Sequence, residues 1–141
     1  MKRYLEMSGA DGVPWGRLPA LPAVWVGLLY DDTSLDAAWD IVKHWNAFER
    51  QSLSDDVPRL GFRARIRDYY LFEIARECLT LAQSGLRRRA RLDHSGHDET
   101  RYLEPLERIM ESGQTPAEEM LAKFHGPWRG SVEPAYDEYA F

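Results

Sequence analysis

The 141-residue sequence predicts a mostly α-helical chain with one strand at its start. Three observations carry that prediction. Leu71, Ile74, Ala75, Cys78, Leu81, Ala82 and Leu86 recur at helical spacing and form one apolar stripe. Thr115-Pro116-Ala117-Glu118 supplies a cap, a first-turn proline and a carboxylate at the third helical position, which together mark a helix N-terminus. Only over residues 3–8 does the pattern change to period two, with Tyr4, Glu6 and Ser8 on one face and Leu5 and Met7 on the other.

The strand runs into a loop containing Gly9, Gly12, Val13, Pro14 and Gly16. A strand needs a partner for its backbone groups, so one that starts with almost no lead-in is expected to belong to a larger sheet, and the chain reads as the later part of something larger. Strand and loop occupy residues 1–18 and the helical region residues 19–141. Pro19 and Pro22 punctuate the entry to an apolar segment, and a short buried helix is predicted over 22–31. Thr33 or Ser34 is predicted to cap the next helix, with Leu35, Ala38, Trp39, Val42 and Trp45 at helical spacing. Another short helix over 47–56 is expected to end before Pro58. The main stripe predicts a helix over 67–92, which Gly85 interrupts at a cost of about 1 kcal/mol against alanine. His94-Ser95-Gly96-His97 reads as a polar turn, and 99–112 as a helix closed by Gly113. The helix capped at Thr115 should run to about Phe124 and stop at Gly126-Pro127, leaving 133–141 as short helix or coil.

A chain of this length holds one domain at most. No apolar run approaches the roughly 20 residues of a membrane span, so no membrane partner is expected. Lys2 and Arg3 are not followed by the apolar stretch of a signal peptide. Cys78 stands alone and can form no internal disulfide, which suits a reducing compartment, and a cytoplasmic protein is expected. The net charge of −5 disfavours a nucleic-acid partner.

Tyr4-Leu5-Glu6-Met7, then Gly9-Ala10-Asp11-Gly12 and Pro14-Trp15, resemble the signature of glutamate–cysteine ligases of the proteobacterial and plant branch. The resemblance continues through residues 18–31. It resumes at Thr115-Pro116-Ala117-Glu118-Glu119, at His125-Gly126-Pro127-Trp128 and at Ser131-Val132-Glu133-Pro134. It covers essentially the whole chain but only the C-terminal portion of the family's usual length. The implied parent fold is α+β, a glutamine-synthetase-like antiparallel sheet cradle backed by helices. This chain would supply one strand and much of the backing.

The resemblance also implies an activity. In this family ATP phosphorylates the γ-carboxylate of glutamate, and the amine of cysteine displaces the phosphate, giving γ-glutamylcysteine for glutathione biosynthesis. ATP and Mg²⁺ are the implied cofactors, and Glu6 matches a Mg²⁺ ligand, a hard oxygen donor for a hard cation. Ser8 stands where the family has an arginine that grips the substrate carboxylate or its acyl phosphate, so no catalytic residue is assigned here. Val13 replaces a usual glycine and Gly16 a usual arginine. Trp15 is expected in the pocket wall, and Arg17 is a candidate anion contact. The chain alone is expected to be inactive, its other ligands lying on sequence absent here. The competing expectation is a non-catalytic remnant or interaction module that pairs with a separately encoded N-terminal portion.

The remaining motifs have plainer readings. Glycines 9, 12 and 16 match neither the dinucleotide fingerprint nor the P-loop and read as a tight turn. His94 and His97, flanked by Asp93 and Asp98, lack a third metal ligand at suitable spacing. Cys78 reads as a small buried hydrophobe. Arg87, Arg88, Arg89 and Arg91 read as solvated cations complementing a helix C-terminus. Trp25, Trp39, Trp45 and Trp128 read as core or interface anchors.

Overall fold

Helix α4, Leu71–Arg89, packs against more of the other elements than any other helix does. A computed structural model describes residues 13–139. The predicted strand over 3–8, with Glu6 and Ser8, lies outside them. Before α4 come a 3-10 turn at Trp15–Arg17, then α1 (Ala20–Leu29), α2 (Asp32–Val42) and α3 (Ala47–Leu60). A two-stranded antiparallel hairpin follows, β1 (Arg65–Ile66) and β2 (Tyr69–Tyr70), with Arg65 opposite Tyr70 and Ile66 opposite Tyr69. After α4 come a 3-10 segment at Glu99–Leu103, α5 (Glu104–Ser112), α6 (Pro116–His125) and α7 (Glu133–Glu138).

The core is small and lies where α1, α4 and the 3-10 segment meet. Ala23, Leu28, Leu79, Ala82, Leu86 and Leu103 are buried there, with Val26, Leu81, Leu106 and Met110 packed against them. α1 and α4 touch backbone to backbone. A Cβ added at Gly85 would lie 1.9 Å from the carbonyl oxygen of Gly27, and one added at Gly27 would lie 2.3 Å from that of Ala82. Gly85 and Gly27 together let the two helices meet, which the helix pattern alone could not reveal.

Several predicted elements shift, each for a local reason. The helix predicted over 67–92 starts only at Leu71, because Arg65–Tyr70 folds into the hairpin. Arg67 takes the left-handed conformation at its turn (φ 53°), and its guanidinium bonds both carboxylate oxygens of Glu49 and the His44 carbonyl. The α3 helix runs past Pro58 to Leu60. A proline in the last turn removes one donor close to the helix end, a small loss there. The helix predicted over 99–112 divides in two, with Pro105 in the first turn of α5, where its missing N–H costs nothing. Gly113 closes α5 in the left-handed conformation (φ 65°), as predicted.

The cap of α2 is Asp31, not Thr33 or Ser34, and its carboxylate accepts the Ser34 N–H at 2.8 Å. Trp45 falls beyond the end of that helix. Of the tryptophans expected as anchors, Trp128 is buried (7% exposed), whereas Trp39 faces outward at 61%. At α6 the predicted capping box is complete. Thr115 accepts the Glu118 N–H at 3.2 Å, and Glu118 accepts the Thr115 N–H at 2.9 Å. None of the described helices is long and apolar enough to cross a membrane.

Candidate functional site

Pro14 fixes the chain's entry into the 3-10 turn, whose Arg17 N–H donates to the Pro14 carbonyl at 2.8 Å. The turn holds the tip of the loop off the body of the protein. Trp15 is 73% exposed, and a Cβ added at Gly16 would meet nothing within 4 Å. The indole is open to solvent, and position 16 has room for a side chain.

Arg17 points the other way, onto α6. Its guanidinium lies 3.5 Å from a Glu119 oxygen. Glu119 also faces Lys123 one helical turn on, at 3.4 Å, and accepts the Tyr139 hydroxyl at 3.2 Å. Desolvation pushes the Glu119 carboxyl up, but the bonds from Lys123, Tyr139 and Arg17 together outweigh it and hold the group below its ordinary value. Arg17 thus meets a protein carboxylate that stays ionised at neutral pH. Glu6 and Ser8, the other residues of the expected site, lie outside the described residues.

The arginine cluster is more than solvated trim. Arg88 grips Asp31 with two bonds of 2.8 and 2.6 Å and donates to the Ser34 hydroxyl at 2.9 Å. That hydroxyl is fully buried and donates to the Leu81 carbonyl at 2.9 Å. The Arg88 bonds, aided by the Ser34 N–H, hold the Asp31 carboxyl well below the usual range. Arg89 pairs with Glu99 at 2.9 Å and lies over the Tyr30 ring. The run of three arginines gave the cations away, but its partners are 10 and 57 residues distant and left no local pattern.

The histidine turn is held from within: Asp93 accepts the Ser95 N–H at 2.7 Å and the His97 N–H at 3.1 Å, and pairs with Arg101. Among the described residues no three His, Cys, Asp or Glu side chains are grouped to hold a metal ion. Cys78 is half-buried on α4, and burial, reinforced by Glu77, pushes its thiol up. That keeps it protonated and a poor nucleophile.

Comparison with known proteins adds three relatives. Over all 141 residues the chain is 44% identical to glutamate–cysteine ligase of Nicotiana tabacum, 45% to that of Arabidopsis thaliana and 43% to ligase A of Oryza sativa subsp. indica. It spans about a quarter of their length (26–27%). All three are chloroplastic by name, which overturns the expectation of a cytoplasmic protein. A lone cysteine argues against a disulfide framework and does not select one compartment. The sequence profile of glutamate–cysteine ligase family 2 matches residues 1–138, nearly the entire chain, and the chain belongs to that family.

Proposed function

We propose that this chain is the C-terminal, largely helical part of an ATP-dependent glutamate–cysteine ligase, which joins the γ-carboxylate of glutamate to the amine of cysteine. The observation that carries the reading is the end-to-end family match, together with 43–45% identity to enzymes named for that activity. The helices would back a catalytic sheet, and the loop with Trp15 at its tip would form part of the substrate pocket wall.

The described residues do not by themselves fit Mg²⁺, since no three of their His, Cys, Asp or Glu side chains are grouped to hold it. Glu6 is the residue of this chain proposed as a metal ligand. Further ligands and the nucleotide contacts would come from the rest of the enzyme.

Three loop positions give the reading its test. Ser8 cannot supply the guanidinium charge for glutamate or its acyl phosphate. Losing one such contact costs about 2–4 kcal/mol in a water-poor site, on the order of 10²–10³ in rate. With the rest of the enzyme supplied, Ser8→Arg should raise kcat/KM for glutamate by that order, and Glu6→Ala should abolish the gain. Gly16→Arg should add to it without strain, since position 16 is open, and Val13→Gly restores the third departure. A steady-state assay of ADP release with glutamate and cysteine measures all of these. The 141 residues alone should give no turnover. Turnover by the chain alone would overturn the backing role, and equal activity with Ser8 and its arginine variant would overturn the impaired site.

A further inference from the structure

Residues Glu138 and Tyr139 bond to α6, and α6 in turn meets the Trp15–Arg17 turn through Glu119. Lys123 on α6 donates to Glu138 at 2.7 Å and to the Tyr139 hydroxyl at 3.2 Å. Trp128, buried beside them, donates its indole N–H to the other Glu138 oxygen at 2.9 Å. The Tyr139 hydroxyl, having accepted from Lys123, donates to Glu119 at 3.2 Å, and Glu119 faces Arg17 through its second oxygen. Each bond has one direction: the ammonium donates to the phenol, and the phenol and the Arg17 guanidinium both donate to the Glu119 carboxylate. Remove the phenolic hydroxyl and the first Glu119 oxygen is left with the longer Lys123 contact, at 3.4 Å, which loosens the hold on the second oxygen's orientation toward Arg17.

We propose that Glu138 and Tyr139 are positioning residues for the Trp15–Arg17 turn, acting through Lys123 and Glu119, so that the chain's tail latches the candidate pocket loop. The link reaches across 102 residues from Glu119 to Arg17, which no helical periodicity produces. Its kinetic consequence rests on the proposed role of Trp15 and Arg17 in the pocket. The latch itself does not.

Amide exchange read by NMR on the 141-residue chain, at a concentration where sedimentation shows it monomeric, tests it. The Arg17 and Leu18 N–H groups donate to Pro14 and Trp15 carbonyls at 2.8 and 3.2 Å, and report on the turn. Tyr139→Phe and Glu138→Gln, both shape-conserving, should each accelerate exchange at these two amides about three- to tenfold, the equivalent of one ordinary hydrogen bond. Amides in the core of α4 should keep their rates. Tyr139→Phe added to Glu119→Gln should do no more than Glu119→Gln alone, because both act through one carboxylate. Unchanged exchange at Arg17 and Leu18 in both single variants would overturn the latch, as would acceleration spread equally through α4. With the rest of the enzyme present, Tyr139→Phe should raise KM for glutamate at little-changed kcat. Faster exchange beside an unchanged KM would remove the pocket role of the loop and leave the latch standing.

Discussion

Gly85 decides the α1–α4 contact, and helix propensity and packing disagree about it. In an exposed helix, alanine in place of glycine gains about 1 kcal/mol. Here the new methyl would meet the Gly27 carbonyl oxygen at 1.9 Å, and backbone cannot swing aside as a flexible side chain can. Overpacking of this kind costs about 1–3 kcal/mol, so packing wins. Gly85→Ala should lower the urea midpoint. A raised midpoint would mean that the two helices separate easily. Ser34 is a parallel case. A hydroxyl beside a helix start suggests a cap, but Asp31 takes that role and leaves Ser34 to bond the Leu81 carbonyl inside the core.

Elements are tied together here by ion pairs as much as by apolar contact, and that gives stability a definite pH dependence. Asp31 joins the start of α2 to the end of α4, and Glu49 joins α3 to the hairpin through Arg67. The Arg67 bonds, then the Asn46 N–H, hold Glu49 at about 2, against 4.5 ordinarily. A carboxyl whose folded value is depressed stabilises the fold above its unfolded value, and that contribution is lost as pH falls through the folded one. Stability should therefore hold from neutral pH down to about 4.5 and fall between there and about 2. Urea midpoints taken at stepped pH check this, and Glu49→Gln should flatten the fall. The sequence made some elements legible and hid others. The α6 helix was readable because cap, proline and carboxylate sit within four residues, and the α5 stop because Gly113 has no Cβ to oppose a positive φ. The hairpin was not, since two-residue strands carry no period and its turn is held by Glu49, 18 residues away. The candidate site divides similarly. The loop residues could be read from their family pattern, but the Arg17–Glu119 link joins residues 102 apart and left no local pattern.

Across the whole molecule, much apolar surface stays outside. Leu21, Trp25 and Leu29 recur at four-residue intervals along α1, and Leu35 and Trp39 do so on α2, all of them exposed. Faces of this kind mark contact with other protein. They suit a chain spanning about a quarter of the length of its relatives. The chain by itself should self-associate, seen as a sedimentation coefficient that rises with concentration. A single monomeric species with a sharp, highly stable unfolding transition would contradict this. The tail contact has an optical corollary. Trp128 is the one tryptophan that is both buried and bonded to the tail, through Glu138, while Trp15 and Trp39 stand in water. Aqueous iodide should quench the exposed indoles and leave blue-shifted emission from the buried Trp128 together with the half-buried Trp45. Glu138→Gln should move that residual band to the red. The protein thus carries its own fluorophore at the latch, and the tail's release can be timed without attaching a label.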